Sequence, residues 1–197
     1  MSYPKAIILN ETQLFKKFND LREYDLQPPS LADGKDYAQP INREVLHCED
    51  SVNVLIYASR IDSFILCEEF RTGAFFNGEE NPFIMSSVAG MVDDGFTPEE
   101  TAFKEVHEEA GIQKTDISAM TFITYAYSSP GRLTEKTYIY LAEIDFEPEA
   151  GIFGLPEEGE EIKTHIITRD KTFEMLDNHQ ILNAPTCIAL NWFRCHR

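Results

Sequence analysis

The feature that most constrains this chain is a glycine-bounded loop that leads into a short helix at residues 89–112. Thr97 suits the N-cap, Pro98 suits the first helical position, and Glu100 completes a capping box with Thr97. Gly111 suits the left-handed residue that ends a helix. The sequence therefore predicts a helix that begins at Pro98 and ends before Gly111.

Three glutamates share one edge of that predicted helix. Glu105, Glu108 and Glu109 stand at positions i, i+3 and i+4, which face the same side. Like charges at this spacing repel each other unless a cation lies among them. Carboxylate oxygens are ligands that Mg²⁺ and Mn²⁺ prefer, although a charge run is more commonly a solvated surface. The apolar residues fall on the opposite side and are predicted to pack on a sheet: Ala102, Phe103, Val106 and Ala110.

The spacing of these residues resembles the Nudix box, in which a glycine, a glutamate and an Arg-Glu-apolar-any-Glu-Glu-any-Gly-apolar run recur at fixed distances. The matching positions are Gly90, Glu105, Val106, Glu108, Glu109, Gly111 and Ile112. Two positions differ, because Phe96 stands where the family has its first glutamate and Lys104 replaces the arginine. In the family those two residues brace the loop against the helix, and lysine lacks the bidentate fork of arginine. The resemblance implies a working site with a different brace.

The resemblance also implies the metal ligands of this site. Glu105, Glu108, Glu109 and the main-chain carbonyl of Ala89 would hold divalent cations, Mg²⁺ with Mn²⁺ as a substitute, and Glu105 and Glu109 would act in catalysis. Ser86 occupies the place of a further glutamate that many relatives carry. The number of bound metal ions therefore stays open.

Composition excludes several classes of protein. The chain of 197 residues has 17 lysines and arginines against 34 acidic residues, a net charge of −17, which argues against a nucleic-acid partner. No apolar run approaches a membrane span, and the start lacks the sections of a signal peptide. The four cysteines show no zinc-site spacing, so we expect free thiols and a cytoplasmic location.

Alternating strand and helix patterns predict an α/β layered domain. Residues 52–57 and 64–67 are predicted to be paired strands, and segments near 171–176 and after 184 are predicted to be helical. The resemblance implies a Nudix α/β/α sandwich with a mixed sheet and a small N-terminal β region. We predict that residues 1–45 form that β region, which serves dimerisation and nucleotide binding, and that residues 46–197 form the Nudix hydrolase domain.

Segments outside the box resemble the ADP-ribose pyrophosphatase branch of the family. Ser-Pro-Gly at 129–131 is similar to that branch's signature, 154–162 to its acidic catalytic loop, and 183–192 to its C-terminal helix. Residues 43–44 and 69–71 fall where similar enzymes hold the nucleotide. Each segment alone is an ordinary turn, surface loop or surface ion pair, but their order around the box favours the functional interpretation.

The resemblance implies hydrolysis of ADP-ribose to AMP and ribose 5-phosphate. A loop carboxylate, Glu158 or Glu160, would deprotonate the attacking water, with Glu158 favoured by the alignment of the loop. Arg71 would pair with the phosphates. Glu135 would lie near the diphosphate and terminal ribose, beside the signature glycine Gly131.

The same branch implies how the nucleotide is held. Phe18, Arg43 and Glu44 would frame the adenine by stacking and by edge hydrogen bonds. In similar enzymes part of this pocket comes from the other subunit, so we expect a homodimer.

Two alternatives stay open at this point. The same chemistry acts on other nucleoside diphosphate sugars in related enzymes, such as GDP-mannose or UDP-glucose. A non-catalytic Nudix sensor that binds ADP-ribose is also compatible with Phe96 and Lys104, although sensors usually lose box glutamates and carry a DNA-binding appendage.

Overall fold

A computed structural model describes residues 3–156 and 159–197 of the chain. Contacts between Cα atoms divide it into two compact units. The first comprises Met1–Glu49 and Tyr127–Glu135, and the second comprises Asp50–Ala126 and Lys136–Arg197. The predicted boundary after residue 45 thus lies four residues before the end of the first unit's N-terminal segment, and residues 127–135 return to that unit.

The first unit is built on a three-stranded antiparallel sheet in the order β1-β2-β3. Its strands are β1 (Ile7–Lys16), β2 (Asp20–Gln27) and β3 (Ile41–His47). Every residue of β1 is exposed. The returning segment runs beside β3, where Leu46 and Leu133 form a parallel bridge.

Apart from residues 157 and 158, which are not described, the second unit contains one mixed sheet and four α-helices. Its strands are β4 (Ser51–Ala58), β5 (Ser63–Phe70), β6 (Phe83–Ser86), β7 (Val88–Met91), β8 (Ile117–Tyr127), β9 (Lys136–Ile144), β10 (Ile152–Phe153) and β11 (Ile162–Thr168). Its helices are α1 (Thr72–Phe76), α2 (Pro98–Ala110), α3 (Arg169–Asp177) and α4 (Ala184–His196). The main strand order is β10-β11-β5-β4-β9-β8, with β6 against β5 and β7 against β4. The sheet is mixed because β4 and β9 run parallel while β4 and β5 run antiparallel.

Two hydrophobic cores lie on the two faces of this sheet. On one face, Val54 of β4 clusters with Ala102 and Val106 of α2. On the other face, Leu55 of β4 clusters with Phe193 of α4. Neighbouring residues of a strand point to opposite faces, so β4 separates two helical layers. This three-layer arrangement confirms the predicted α/β/α fold class.

The structure agrees with most predicted elements and adds several short ones. The paired strands, α2, α3 and α4 all form near the predicted residues. The sequence did not predict α1, β6, β7 or β10. Phe103 differs from its predicted role, because it is half-buried and Lys114 Nζ lies 4.4 Å from its ring centroid. Among the described residues, no helix is both long and apolar enough for a membrane span.

Candidate active site

The acidic edge, which we define as Glu105, Glu108 and Glu109, is carried by α2. The helix begins with the predicted capping box: Thr97 Oγ1 accepts from the Glu100 amide at 3.2 Å, and Glu100 Oε2 accepts from the Thr97 amide at 2.9 Å. Gly111 ends the helix with a φ of 68°, a conformation that favours glycine.

Two members of the acidic edge are buried against the sheet. Glu105 keeps 8% of its surface exposed and Glu109 keeps 4%. Burial raises the pKa of Glu105 to about 7, with the charges of Glu108 and Glu160 adding to it and Lys104 opposing it. Burial also raises the pKa of Glu109 to about 8. These carboxylates are therefore desolvated, and a nearby cation would stabilise their charged forms.

Strand β7 packs directly on these carboxylates. The Ala89 amide donates to Glu109 Oε2 at 3.1 Å, which opposes the rise in the pKa of Glu109. A Cβ added to Gly90 would overlap the carboxylate of Glu105. Glycine is thus required at this close approach of backbone to side chain. The Ala89 amide is the group in contact with Glu109, so the role of the Ala89 carbonyl as a ligand stays a prediction.

Lys104 contacts two members of the acidic edge and the loop before α2. Its Nζ lies 3.0 Å from Glu108 Oε2, 3.3 Å from Glu105 Oε1 and 3.5 Å from Asp93 Oδ2. Burial works against the charge of Lys104, but Glu108 and Glu105 raise its pKa above the usual value. Phe96, at the family's glutamate position, is exposed. The loop is therefore linked to the helix through the ion pair of Asp93 with Lys104.

An ion pair at the end of β5 lies close to the acidic edge. Arg71 Nη2 is 2.8 Å from Glu69 Oε2. Burial raises the pKa of Glu69, and the charge of Arg71 opposes that rise. The charge of Glu69 also raises the pKa of Glu109, and the charge of Arg71 lowers it. Arg71, the predicted phosphate ligand, thus lies beside the predicted metal ligands.

The loop after β10 packs against the C-terminal half of α2. The Gly154 amide donates to the Glu108 carbonyl at 3.2 Å, and a Cβ on Gly111 would meet the Phe153 ring. Glu160 belongs to this loop, and its charge raises the pKa of both Glu69 and Glu105. Glu160, one of the two candidate bases, is therefore within electrostatic reach of Glu69 and Glu105. Glu158 lies outside the described residues.

The donor set of the acidic edge fits a hard divalent cation. Its oxygens belong to carboxylates that are buried or half-buried, and Mg²⁺ and Mn²⁺ prefer such ligands. Ser86 Oγ is buried without a hydrogen-bond partner among the described residues. Ser86 pairs across the sheet with Cys67, which clusters with Val106 of α2, so this hydroxyl lies on the face of the sheet that carries α2. No three His, Cys, Asp or Glu side chains within residues 3–156 and 159–197 already converge as ligands of one ion.

Comparison with known proteins decides the family. Residues 49–184 match the NUDIX domain. The chain belongs to the Nudix family. It is similar to the ADP-ribose pyrophosphatase of Haemophilus influenzae, with 32% identity over 189 residues that cover 95% of this chain and 85% of that protein. It is also similar to the GDP-mannose pyrophosphatase of Salmonella typhimurium, with 29% identity over 152 residues that cover 77% of each.

A solved structure supports the Nudix fold. A crystal structure of an ADP compounds hydrolase matches this chain with a TM-score of 0.73 and 21% sequence identity. The match covers 98% of this chain and 95% of that one. The Nudix α/β/α sandwich expected from the sequence is thereby confirmed.

The first unit of this Nudix chain holds the other predicted substrate residues. Phe18 is 84% exposed at the turn between β1 and β2. Arg43 and Glu44 are exposed neighbours on β3, and Arg43 Nη1 donates to the Asn42 carbonyl at 2.7 Å. Gly131 and Glu135 belong to the returning segment. Their roles in holding the substrate stay predictions.

A cavity of about 480 Å³ does form within the first unit. Its lining residues are Leu21, Glu44, Leu46, Ser129, Arg132 and Leu133. Glu44 and Ser129 of the Ser-Pro-Gly turn thus line one cavity, and their roles in substrate binding stay predictions. We call this space the unit 1 cavity.

Sequence reasoning missed two residues at these sites: Asp93 and Arg132. Glu69 belongs to the predicted segment 69–71, but its half-buried position depends on packing that no local pattern reveals. Asp93 is a loop acid whose partner Lys104 lies eleven positions later. Arg132 follows the Ser-Pro-Gly turn directly, and that adjacency is the signal that points to it.

Proposed function

We propose that this Nudix chain hydrolyses the diphosphate of ADP-ribose to AMP and ribose 5-phosphate with the help of a divalent cation. The observation that carries the proposal is the pair of buried glutamates, Glu105 and Glu109, beside Arg71. Similarity to an ADP-ribose pyrophosphatase over 95% of the chain supports the choice of substrate.

In this proposal the acidic edge binds the metal ion and Arg71 contacts the phosphates. Glu105, Glu108 and Glu109 would hold Mg²⁺ or Mn²⁺, which neutralises the diphosphate and polarises phosphorus when bound. Arg71 supplies planar N–H donors that suit phosphate oxygens. Its 2.8 Å contact with Glu69 involves only Nη2, which is one of the three nitrogens that carry its five N–H donors.

A loop carboxylate then removes the proton from the attacking water. Glu160 is the candidate within the described residues, and Glu158 is the other predicted candidate. The water oxygen forms a bond to phosphorus, the bridging P–O bond breaks, and the departing phosphate carries away the electron pair. Because the loop packs on α2 through Gly154, its motion is coupled to the acidic edge.

The unit 1 cavity is suited to a nucleobase. Three leucines offer apolar contact for a flat ring: Leu21, Leu46 and Leu133. Glu44 can accept hydrogen bonds from the base, and Arg132 can donate them. The predicted roles of Phe18, Arg43, Gly131 and Glu135 in holding the substrate belong to this proposal too.

A turnover panel tests the function. ADP-ribose, GDP-mannose and UDP-glucose are incubated with the protein and Mg²⁺ or Mn²⁺, and the mononucleotide and sugar phosphate products are measured. We expect ADP-ribose to have the highest kcat/KM and Glu109→Gln to lose at least about a hundredfold in kcat. Glu99→Gln is the matched control, because Glu99 is exposed in the first turn of the same helix.

GDP-mannose is the alternative substrate, and the similarity to a GDP-mannose pyrophosphatase favours testing it. A protein that turns over GDP-mannose faster than ADP-ribose would transfer the proposal to that substrate.

A sensor function has a different signature. Calorimetry of the parent with ADP-ribose would then show binding, while no product forms with either metal ion. If the unmodified protein turns over ADP-ribose and Glu109→Gln does not, the sensor alternative is excluded.

We also propose that the protein is a cytoplasmic homodimer. The four cysteines, Cys48, Cys67, Cys187 and Cys195, are free thiols, which fits a reducing compartment. The exposed apolar residues of β1 support self-association.

A further inference from the structure

Lys104 occupies a position that a metal ion would compete for. Its ammonium contacts Glu105 and Glu108, which we propose as metal ligands, and also Asp93, which we do not. Its side chain is 34% exposed, whereas that of Asp93 is 55% exposed. The same cation therefore has two partners inside the acidic edge and one at its rim.

Lysine is suited to exchange between such partners. Its ammonium is a compact charge on a flexible four-carbon stem, and it needs no planar fork geometry. The three nitrogen–oxygen distances lie between 3.0 and 3.5 Å, so no single carboxylate holds the ammonium alone. With Phe96 at the family's glutamate position, Asp93 is the loop residue that pairs with Lys104.

We propose that Lys104 is a tethered counter-ion of the acidic edge, which holds Glu105 and Glu108 in the metal-free protein and is retained by Asp93 when a divalent cation takes those carboxylates. This inference rests on the proposed function, because it requires the acidic edge to bind the cation. It makes Lys104 and Asp93 positioning residues that set metal affinity.

The energetic reason is competition between like charges. A bound divalent cation and the Lys104 ammonium repel each other at short range and compete for the same oxygens. Asp93 lowers this penalty by offering the ammonium a partner at the rim. Removal of the lysine charge therefore strengthens metal binding, whereas removal of the Asp93 charge weakens it.

Mn²⁺ titration by calorimetry, without substrate, tests the proposal. We expect Lys104→Met to lower the Kd for Mn²⁺ by about fivefold, and Lys104→Arg, which keeps the charge, to change it by less than about twofold. Asp93→Asn should raise the Kd by about threefold. Asp94→Asn is the matched control, because it removes the same charge one position away where no ion pair with Lys104 is formed.

Thermal unfolding gives a second measurement. In EDTA, Lys104→Met should have a lower Tm than the parent, because the acidic edge has lost its counter-ion. Saturating Mn²⁺ should then raise its Tm by more than it raises that of the parent. Circular dichroism establishes that Lys104→Met, Lys104→Arg, Asp93→Asn and Asp94→Asn are all folded.

The outcomes separate this inference from the proposed function. If the parent binds Mn²⁺ but Lys104→Met binds it equally or more weakly, Lys104 is a structural brace and the inference is overturned alone. If Asp93→Asn and Asp94→Asn have the same Kd for Mn²⁺, the proposal that Asp93 retains the Lys104 ammonium is overturned. A parent that binds no Mn²⁺ overturns the metal-dependent function and this inference together.

Discussion

At the scale of single residues, the acidic edge depends on a glycine at position 90. The backbone of Gly90 lies so close to Glu105 that a Cβ would overlap the carboxylate. Gly90→Ala must therefore displace Glu105 from its buried position. We expect a loss of about a hundredfold in kcat.

The matched control for that change is Gly73→Ala, because a Cβ at Gly73 meets nothing within 4 Å. Initial rates with ADP-ribose and saturating Mg²⁺ measure both variants, and thermal unfolding establishes that they are folded. A Gly90→Ala protein with parental kcat would show that Glu105 does not need its present position.

A second residue, Arg132, sets the affinity for the nucleoside end in the proposed function. Its backbone is fixed by two hydrogen bonds, to the Ser129 carbonyl at 2.9 Å and from the Leu46 amide at 2.8 Å. Its side chain lines the unit 1 cavity with Glu44. We expect Arg132→Ala to raise KM by about tenfold with kcat changed by less than about twofold, since hydrogen bonds from a charged donor contribute to binding.

Arg60→Ala is the control for this prediction, because Arg60 is exposed in the short turn after β4. Steady-state kinetics over a range of ADP-ribose concentrations separates KM from kcat. An unchanged KM in Arg132→Ala would remove the arginine from the substrate site.

At the scale of elements, α2 depends on its cap. Thr97→Ala removes the acceptor for the Glu100 amide, and N-cap losses cost about 1 kcal/mol of unfolding free energy. Denaturant unfolding measures the difference. Thr115→Ala is the control, because Thr115 is exposed and lies outside the cap. Equal stabilities of the two variants would contradict a role for the cap.

The stability contributed by the other half of the capping box, the Glu100 carboxylate, depends on pH. The backbone and side chain of Thr97 lower the pKa of Glu100 below its usual value. A carboxyl with a lowered pKa in the folded state contributes stability above its ordinary pKa and loses it as the pH falls through the lowered value. The Tm difference between the parent and Glu100→Ala should therefore be present at pH 7 and shrink in acid. A difference that grows in acid would contradict the assigned direction.

Elements with strong local signals were predictable from the sequence, and elements formed by packing were not. The cap residues and the glycine of α2 act within one turn, so Thr97 and Gly111 predicted its ends. Helix α1 has five residues and β7 has four, too few to show a period. Their positions follow from tertiary contacts.

The same distinction applies to the site. The spacing of Glu105, Glu108 and Glu109 is local, and it predicted a shared edge that the structure contains. The burial of Glu69 and the cavity that joins Glu44 to Arg132 depend on strands distant in sequence. Local patterns carry no information about such packing.

At the scale of the whole molecule, charge and apolar surface act in opposite directions on self-association. Each chain carries a net charge of −17, so two copies repel each other over the Debye length. Strand β1 nevertheless exposes large apolar side chains on both of its faces: Ile7, Ile8, Leu9, Leu14 and Phe15. Exposed apolar patches of this kind mark interaction surfaces, and burying them in a dimer offsets the repulsion once salt screens it.

We therefore expect a mass of twice 22.6 kDa by analytical ultracentrifugation at about 0.15 M salt, where the Debye length is about 8 Å. Dissociation to monomer should increase at about 0.01 M salt, where that length reaches about 30 Å. Ile8→Glu, at a side chain that is 62% exposed, should shift the protein to monomer because it places a charge among the exposed apolar side chains of β1. Leu31→Glu, on the exposed loop after β2, is the control and should remain dimeric. A dimer that survives Ile8→Glu would assign the interface to another surface, because a buried charge on β1 is too costly to leave association unchanged.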